Sequence, residues 1–240
     1  MTNILINYAD GAFRRAQDLN AKTGLSVGGF DRVIPYGPQH LDAEFRVRNH
    51  AVLSHARGAG CWLWKPYLMV ATLRDAMSDG DVLFYADSGS HFVGSAAPVI
   101  DLCKRRRDKP ILLFTLSKVH TNRRWTKRDC FYYLGLDGPP YIDLPQLLGT
   151  FIVCQKHPYT LAFFEQWLRY AEDPRVITDD PNQCGLPDYP EFEAHRHDQS
   201  ILSLLARKHA IPNLPDISQW GNDERPREFQ QVLLHRRWRE

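Results

Sequence analysis

Several features that would assign this chain to a class at once are missing. No apolar run approaches the roughly 18–20 residues that a membrane-spanning helix needs, and no Asn-x-Ser/Thr glycosylation site occurs. The five cysteines include no Cys-x-x-Cys pair, so neither a zinc ribbon nor a thioredoxin-type redox pair is present. The N-terminal apolar stretch is too short for a signal peptide and has no charge in front of it. We therefore expect a cytoplasmic protein with reduced thiols.

Common phosphate-binding and hydrolase motifs are absent as well. Gly24, Gly28 and Gly29 do not fit the G-x-G-x-x-G loop of dinucleotide-binding proteins, and no G-x-x-x-x-G-K-[ST] loop exists. Neither H-E-x-x-H nor G-x-S-x-G occurs, which removes the simplest assignments to a metalloprotease or an α/β-hydrolase. The net charge of +2, from 30 Lys and Arg against 28 Asp and Glu, argues against a dedicated polyanion-binding protein.

The composition is that of a folded domain with a large core. Of the 240 residues, 43% are hydrophobic and 24% are charged, which excludes a wholly disordered chain. No internal repeat or linker divides the sequence. We expect one domain over residues 1–240, with residues 211–240 as a C-terminal extension.

Hydrophobic periodicity predicts strands that alternate with helices. The predicted strands are Asn3–Tyr8 and residues 31–35, 81–86, 110–116 and 149–154. The predicted helices are residues 13–21, 42–55 with Asp42 as N-cap, 67–77, 98–107, 158–171 and 198–209, with a further short amphipathic helix at 229–238. This alternation predicts an α/β domain with a mainly parallel sheet.

The first candidate site follows the strand at residues 81–86. Asp87 and Ser88 come directly after this strand, and His91 lies four residues after the aspartate. Open α/β sheets bind ligands at the carboxyl ends of their strands. A carboxylate and an imidazole there could hold a hard divalent cation, which would neutralise a diphosphate. An Asp-Ser-Gly turn that only ends the strand is the alternative.

The second candidate site is the helix start around Asp198. His195, Arg196, His197 and Gln199 crowd the same turn, where N–H groups and the helix dipole favour anions. These side chains suit the roles of metal ligand, phosphate partner and general base. Asp198 as a plain N-cap is the alternative.

Trp62 and Trp64 stand close to Lys65 at the start of another predicted helix. An indole there could stack on a base or a sugar while Lys65 contacts a phosphate. Large aromatic residues more often pack in a core, and composition alone favours that alternative.

Charges of opposite sign are concentrated in different segments. Residues 104–128 hold ten Lys or Arg and one acid, whereas residues 171–198 hold eight acids and two bases. In the basic segment Arg123 and Arg124 precede Trp125, and such a loop could close over an anionic ligand or be a surface loop without a function. This separation of charge suits an enzyme that binds an anionic donor with its basic segment and presents carboxylates elsewhere.

Taken in order, these stretches resemble the GT-A-fold nucleotide-sugar glycosyltransferases, particularly small bacterial and viral enzymes of surface-polysaccharide synthesis. The likeness covers about residues 3–210 and implies a mixed, mainly parallel GT-A-like sheet. The resemblance rests on five stretches. Residues 4–9 are similar to the strand whose end meets the nucleotide, and residues 62–67 are similar to a Trp-Lys-Pro segment. Residues 85–89 stand at the position of the Asp-x-Asp metal motif, and residues 149–153 and 197–200 are similar to a later strand and to an Asp-Gln helix start.

The resemblance implies transfer of a sugar from a nucleoside-diphosphate sugar to a glycan or lipid-linked acceptor. Asp198 would deprotonate the acceptor hydroxyl, and we expect inversion at the sugar. Asp87 and His91 would hold Mn²⁺ or Mg²⁺, but Gly89 replaces the second aspartate of the motif, which leaves metal dependence open. The residues implied at the donor are Tyr8, Ala9, Trp64, Lys65, Asp87, Ser88, Arg123, Arg124, His197 and Gln199.

Other partners and functions are weighed beside this one. The basic residues of 236–239 could touch the inner face of an anionic membrane, or form a solvated C-terminus. A metal-dependent hydrolase would use His195, His197 and Asp198 together with Asp87. A nucleic-acid-binding protein would use residues 104–128, but no recognition module is present and we expect no nucleic-acid partner. A protein that binds a sugar nucleotide without catalysis is the last alternative.

Overall fold

The computed structural model describes residues 1–218 and 230–235. The strands in this part are β1 (Asn3–Tyr8), β2 (Arg32–Tyr36), β3 (Val82–Ala86), β4 (Ser90–Phe92), β5 (Ile111–Thr115), β6 (Leu147–Gln155), β7 (Asn213–Pro215) and β8 (Leu233–His235). The helices are α1 (Arg14–Thr23), α2 (Ala43–Arg48), α3 (His50–Leu53), α4 (Gly58–Cys61), α5 (Trp64–Ala71), α6 (Ala97–Lys104), α7 (Asn122–Trp125), α8 (Arg128–Leu134), α9 (Pro158–Ala171), α10 (Pro174–Ile177) and α11 (His197–Lys208).

The main sheet has six strands in the order β2-β1-β3-β6-β5-β7. Strand β1 runs parallel to β2 and β3, and β7 runs parallel to β5, whereas β6 is antiparallel to both of its neighbours. The predicted α/β fold with a mixed, mainly parallel sheet flanked by helices is therefore confirmed. Because β1 and β3 are parallel and β6 is not, the ends of β1 and β3 meet the beginning of β6 at one edge of the sheet.

Alternating side chains of the central strands enter two different hydrophobic layers. In β1, Ile4 and Ile6 face the larger layer under α5, α9 and α11, while Leu5 faces the smaller one. The smaller layer contains Phe84 of β3 and Val99 of α6. This period of two in strands that are buried on both faces explains their near-continuous apolar sequences.

The local predictions agree with the structure best where the pattern is long and periodic. Helix α9 has the predicted bounds, and Asp42 caps α2 by accepting a hydrogen bond of 2.6 Å from the N–H of Phe45. The helix predicted over residues 42–55 is interrupted at Asn49, where the backbone leaves the helical region (φ −106°, ψ 20°) and α3 begins anew. The helix predicted over residues 67–77 begins earlier, at Trp64, and its last turn over residues 72–76 is a π-helix.

The predicted amphipathic helix at residues 229–238 is wrong where the chain is described. Leu233–His235 forms β8, which pairs antiparallel with β4 in a small two-stranded sheet. The rest of that segment, residue 229 and residues 236–238, lies outside the described residues. Three apolar or aromatic residues in a row fit a strand as well as a helix, and the partner strand decides between them.

None of the described helices combines the length and the apolar character that crossing a bilayer requires. The longest, α9, has 14 residues, and a membrane-spanning helix needs about 20.

Candidate active site

The candidate site lies at the sheet edge where β1 and β3 end. Asp87 and Ser88 follow β3 directly, and Ser88 Oγ donates a hydrogen bond to the carbonyl oxygen of Tyr8 at the end of β1. The first turns of α5 and α11 bring Lys65 and Asp198 to the same edge. Three stretches that are far apart in sequence, the strand end, the Trp-Lys segment and the helix start, therefore meet in one place.

Lys65 is at the centre of this cluster. Its side chain is only 4% exposed, and Nζ lies 3.0 Å from Oδ2 of Asp198 and 3.5 Å from Oδ1 of Asp87. Nζ also donates a hydrogen bond of 3.0 Å to the carbonyl oxygen of Gly149. Burial lowers the pKa of Lys65, but the two carboxylates outweigh it and hold that pKa above its ordinary value. The side chain is therefore a buried cation held by three oxygen atoms.

Asp198 is the buried carboxylate of the cluster, with a side chain 4% exposed. Burial raises its pKa to about 6, although the charge of Lys65 acts in the opposite direction. Oδ2 makes no hydrogen bond with good geometry, in spite of its short distance to the lysine. Trp167 fixes the backbone by donating from Nε1 to the carbonyl oxygen of Asp198. The alternative, that Asp198 is a plain N-cap, is wrong, because Asp198 lies inside the first turn of α11 and Arg196 is the N-cap.

Two aromatic residues form a wall beside the cluster. The rings of Tyr8 and Trp64 are stacked with centroids 3.8 Å apart, and Nε1 of Trp64 donates to the carbonyl oxygen of Gly58. Trp64 is 5% exposed and belongs to the hydrophobic core. The alternative that this tryptophan packs in the core therefore describes the structure, and stacking on a base stays a prediction.

Tyr85 belongs to the site although it was not among the predicted site residues. Its hydroxyl donates to Oδ1 of Asp87, and Nζ of Lys65 lies 5.1 Å from the centre of its ring. A signal for it exists in the sequence, because residues two apart on an extended segment point to the same side. Tyr85 stands two residues before Asp87.

Gly149 of β6 allows the first turn of α11 to lie close to this strand. A Cβ on this residue would lie 3.1 Å from Cβ of Gln199 and 3.4 Å from Oδ2 of Asp198. The N–H of Gly149 donates to Oε1 of Gln199, whose Nε2 donates to Gln146. Gln199, predicted at the donor, therefore ties α11 to the sheet beside the lysine cluster.

His195, just before α11, and His197, the first residue of α11, are both buried. His195 accepts from the N–H of Lys127 at Nδ1 and donates from Nε2 to the carbonyl oxygen of Val176, so both ring nitrogens are used. Burial lowers the pKa of His195 well below its usual range. This occupancy argues against His195 as a metal ligand of the hydrolase alternative.

His197 has one ring nitrogen without a hydrogen bond. Its Nδ1 donates to the carbonyl oxygen of Ile177, whereas the buried Nε2 lies 3.4 Å from Oδ2 of Asp179. Burial lowers the pKa of His197, so it is a neutral side chain at pH 7. Its backbone is left-handed, with φ of +50°.

Residues 58–62, which include α4, form a left-handed turn at the side of the site. Hydrogen bonds of the helical type run from the N–H of Cys61 to the carbonyl oxygen of Arg57 and from Trp62 to Gly58. Each L-residue in this conformation costs roughly 1–2 kcal/mol. The positive φ angles are 62° at Gly58, 50° at Ala59, 94° at Gly60, 52° at Cys61 and 59° at Trp62.

Arg123 and Arg124 make their contacts with the acidic segment of residues 171–198 and with Asp143. Arg123 pairs with Asp143 and Glu191, and Arg124 pairs with Glu193. The two oppositely charged segments thus neutralise each other locally. The predicted contact of these arginines with an anionic donor stays a prediction.

The predicted metal ligands Asp87 and His91 do not provide the oxygen donors that Mg²⁺ or Mn²⁺ prefers. Asp87 is the single carboxylate of the turn, and Oδ1 already accepts from Tyr85 beside the Lys65 ammonium. His91 lies on β4, opposite Leu234 of β8. Within residues 1–218 and 230–235, no group of three or more His, Cys, Asp or Glu could hold a metal ion. Asp87 alone therefore makes a poor protein site for a divalent cation, because Mg²⁺ and Mn²⁺ prefer several oxygen ligands.

Ala9, the predicted donor residue directly after β1, is buried. Its N–H donates to the carbonyl oxygen of Tyr36 in β2. Ala9 therefore contributes backbone shape at the sheet edge next to Tyr8 and Ser88.

Comparison with known proteins supports the fold. No protein-family model matches the sequence, and no curated protein matches it. In structure, the chain is similar to mouse xyloside xylosyltransferase 1 in its apo form, with a TM-score of 0.53 and 9% sequence identity over 98% of this chain and 97% of that chain. At this identity the likeness shows a glycosyltransferase-like fold.

Proposed function

We propose that this protein is a glycosyltransferase that moves a sugar from a nucleoside-diphosphate sugar to a hydroxyl of a glycan or lipid-linked acceptor. The observation that carries the proposal is the cluster of Asp87, Lys65 and Asp198 at the carboxyl ends of β1 and β3. This is the edge at which open α/β sheets bind their ligands. The glycosyltransferase-like fold supports the same function.

Asp198 is the proposed general base of an inverting transfer. The acceptor oxygen forms a bond to the anomeric carbon while the bond from that carbon to the diphosphate oxygen breaks, and the hydroxyl proton goes to Asp198. A pKa of about 6 leaves this carboxylate mainly ionised at pH 7 and still able to accept a proton. Its Oδ2 has no competing hydrogen bond of good geometry.

Asp87 is the proposed contact of the cluster with the donor. Its side chain is 36% exposed, whereas those of Lys65 and Asp198 are buried. A carboxylate at the solvent side accepts hydrogen bonds from sugar or ribose hydroxyls. Tyr85 and Lys65 hold it in place from the protein side.

We place the reaction in surface-polysaccharide synthesis, at the cytoplasmic side of the membrane where a lipid-linked acceptor would lie. The role in polysaccharide synthesis follows from the resemblance of the five sequence stretches, and the cytoplasmic side follows from the odd number of scattered cysteines. The donor base and sugar are to be found by direct screening.

The test is a panel of nucleoside-diphosphate sugars, with xylose, glucose, galactose, N-acetylglucosamine and mannose as the sugars. Thermal shift measures binding, because a ligand at 100 times its Kd stabilises the folded state by about 2.7 kcal/mol. Release of the nucleoside diphosphate measures turnover. We expect one donor to raise the melting temperature and to release its nucleoside diphosphate. We expect the Asp198→Asn variant to bind that donor without turnover.

Two results would contradict the proposal in different ways. If no donor shifts the melting temperature or is cleaved, the protein is not a nucleotide-sugar enzyme. If one donor binds and Asp198→Asn changes nothing while no acceptor yields product, the protein binds a sugar nucleotide without catalysis.

A further inference from the structure

The space between Asp87 and Asp198 is filled by a side chain of the protein itself. Nζ of Lys65 lies within 3.5 Å of one carboxylate and 3.0 Å of the other, and it also donates to the carbonyl oxygen of Gly149. Two carboxylates and one carbonyl oxygen are the kind of oxygen ligands that hard cations take. Here an ammonium group occupies their common centre.

The surroundings of this ammonium favour a monovalent charge without a hydration shell. The rings of Trp64 and Tyr85 lie 5.7 Å and 5.1 Å from Nζ. Aromatic faces attract a desolvated ammonium through their quadrupole, but they offer no oxygen ligand to a divalent metal. A metal ion bound to Asp87 would also lie close to the positive charge of Lys65 and would be repelled by it.

The sequence departs from a two-carboxylate metal motif at the matching place. Gly89 stands where a second aspartate would complete Asp-x-Asp, and Oδ1 of Asp87 accepts a hydrogen bond from Tyr85. One carboxylate balances the single charge of the Lys65 ammonium, as the two aspartates of the motif would balance the two charges of a divalent metal.

We infer that Lys65 is the resident cation of this site and takes the position of a divalent metal, so that the protein does not bind Mn²⁺ or Mg²⁺ there. One consequence of this inference rests on the proposed function: sugar transfer by this protein should need no added metal. The assignment of Lys65 to the cation position does not depend on which reaction the protein catalyses.

Direct titration with Mn²⁺ tests the claim without any sugar nucleotide. Electron paramagnetic resonance measures free Mn²⁺ as wild-type protein is added. We expect no stoichiometric binding up to about 1 mM, a concentration above the Kd of most dedicated oxygen sites in proteins. Stoichiometric binding that Asp87→Asn abolishes would overturn the inference.

Removal of the ammonium is the second arm. Lys65→Ala leaves both carboxylates and opens the space, so we expect Mn²⁺ to bind at least about tenfold more tightly than to the wild type. The double variant Lys65→Ala/Asp87→Asn should lose this binding. Lys109→Ala is the matched control, because Lys109 donates to the carbonyl oxygen of His209 and makes no contact with Asp87 or Asp198 in the described structure.

Each result of these titrations decides the question. A folded Lys65→Ala protein that binds Mn²⁺ no better than the wild type would contradict the assignment of the cation position. If Lys65→Ala does not fold, the wild-type titration decides alone. A wild type that excludes Mn²⁺ but turns over no donor would leave the inference intact and refute the proposed function.

Discussion

Trp62 and His197 both have a left-handed backbone, and their rings lie against each other with centroids 5.2 Å apart. Trp62 belongs to the turn before Lys65, and His197 directly precedes Asp198. Strained backbone at two contacting residues persists only where the surrounding structure enforces it. The strained residues therefore lie next to Lys65 and Asp198, the two buried charged side chains on which the proposed chemistry depends.

Relief of this strain at Ala59 should stabilise the protein. Ala59 has φ of +50° and ψ of +53°, where glycine has no Cβ penalty. We expect Ala59→Gly to raise the free energy of unfolding by about 0.5–1 kcal/mol, the left-handed cost less the entropy that glycine adds to the unfolded chain. Urea denaturation measures it. Ala21→Gly in the right-handed helix α1 is the control, and equal signs for both variants would contradict this account.

A methyl group at Gly149 should damage catalysis more than folding. The added Cβ would press on Cβ of Gln199 and come into van der Waals contact with Oδ2 of Asp198, both in the first turn of α11. Displacement of a catalytic group by less than 1 Å lowers rates steeply, so we expect turnover by Gly149→Ala to fall by about tenfold or more. Steady-state kinetics with circular dichroism checks this. Gly138→Ala, where a Cβ would meet nothing within 4 Å, should retain wild-type turnover.

The rate of transfer should depend on pH through Asp198. A general base works only when it is deprotonated, and burial raises the pKa of this carboxyl to about 6. Activity should therefore fall about tenfold for each pH unit below 6 and level off above it. Asp198→Asn should lose about 10²–10⁴-fold in kcat and show no such slope. A wild-type profile that is flat from pH 5 to 8 would exclude Asp198 as the base.

Acid should destabilise the fold through His195. Burial lowers the pKa of this histidine well below its usual range, so the unfolded chain binds a proton that the folded chain does not. Stability is then lost as pH falls below about 6.5, by about 1.4 kcal/mol per pH unit until the folded-state pKa is reached.

A glutamine at this position isolates the effect. The side-chain amide introduced by His195→Gln can accept from Lys127 and donate to Val176 as the imidazole does, but it does not titrate. The difference in unfolding free energy between the two proteins should change with pH in urea titrations from pH 7.5 to 5.5. His50→Gln, at an exposed position, is the control substitution. A difference that does not vary with pH would contradict the prediction.

The sequence predicted the parts of the structure that depend on local periodicity. Helix α9 and strand β1 have strong patterns and the predicted bounds. Strand β7 was not predicted, because its three residues at the edge of the sheet include a proline and carry little pattern. Helix α2 ends earlier than predicted because Asn49 leaves the helical conformation.

The candidate site was predicted as separate residues but not as an arrangement. Asp87, Lys65 and Asp198 were each singled out, yet their mutual distances depend on how β3, α5 and α11 pack. The pairing of Arg123 and Arg124 with the acidic segment has the same origin, since segments about 70 residues apart meet only in the fold. The left-handed turn at residues 58–62 has only its two glycines as a signal.

The pairing of β4 with β8 has a consequence for folding during synthesis. Strand β4 begins three residues after Asp87, and its partner β8 follows more than 140 residues later. Val93 and Gly94 also donate hydrogen bonds to the carbonyl oxygen of Val232, so this segment has no strand partner on the ribosome until residues 232–235 have emerged. The nascent protein can form most of its main sheet early, but the loop beside Asp87 acquires these contacts only after residues 232–235 have been synthesised.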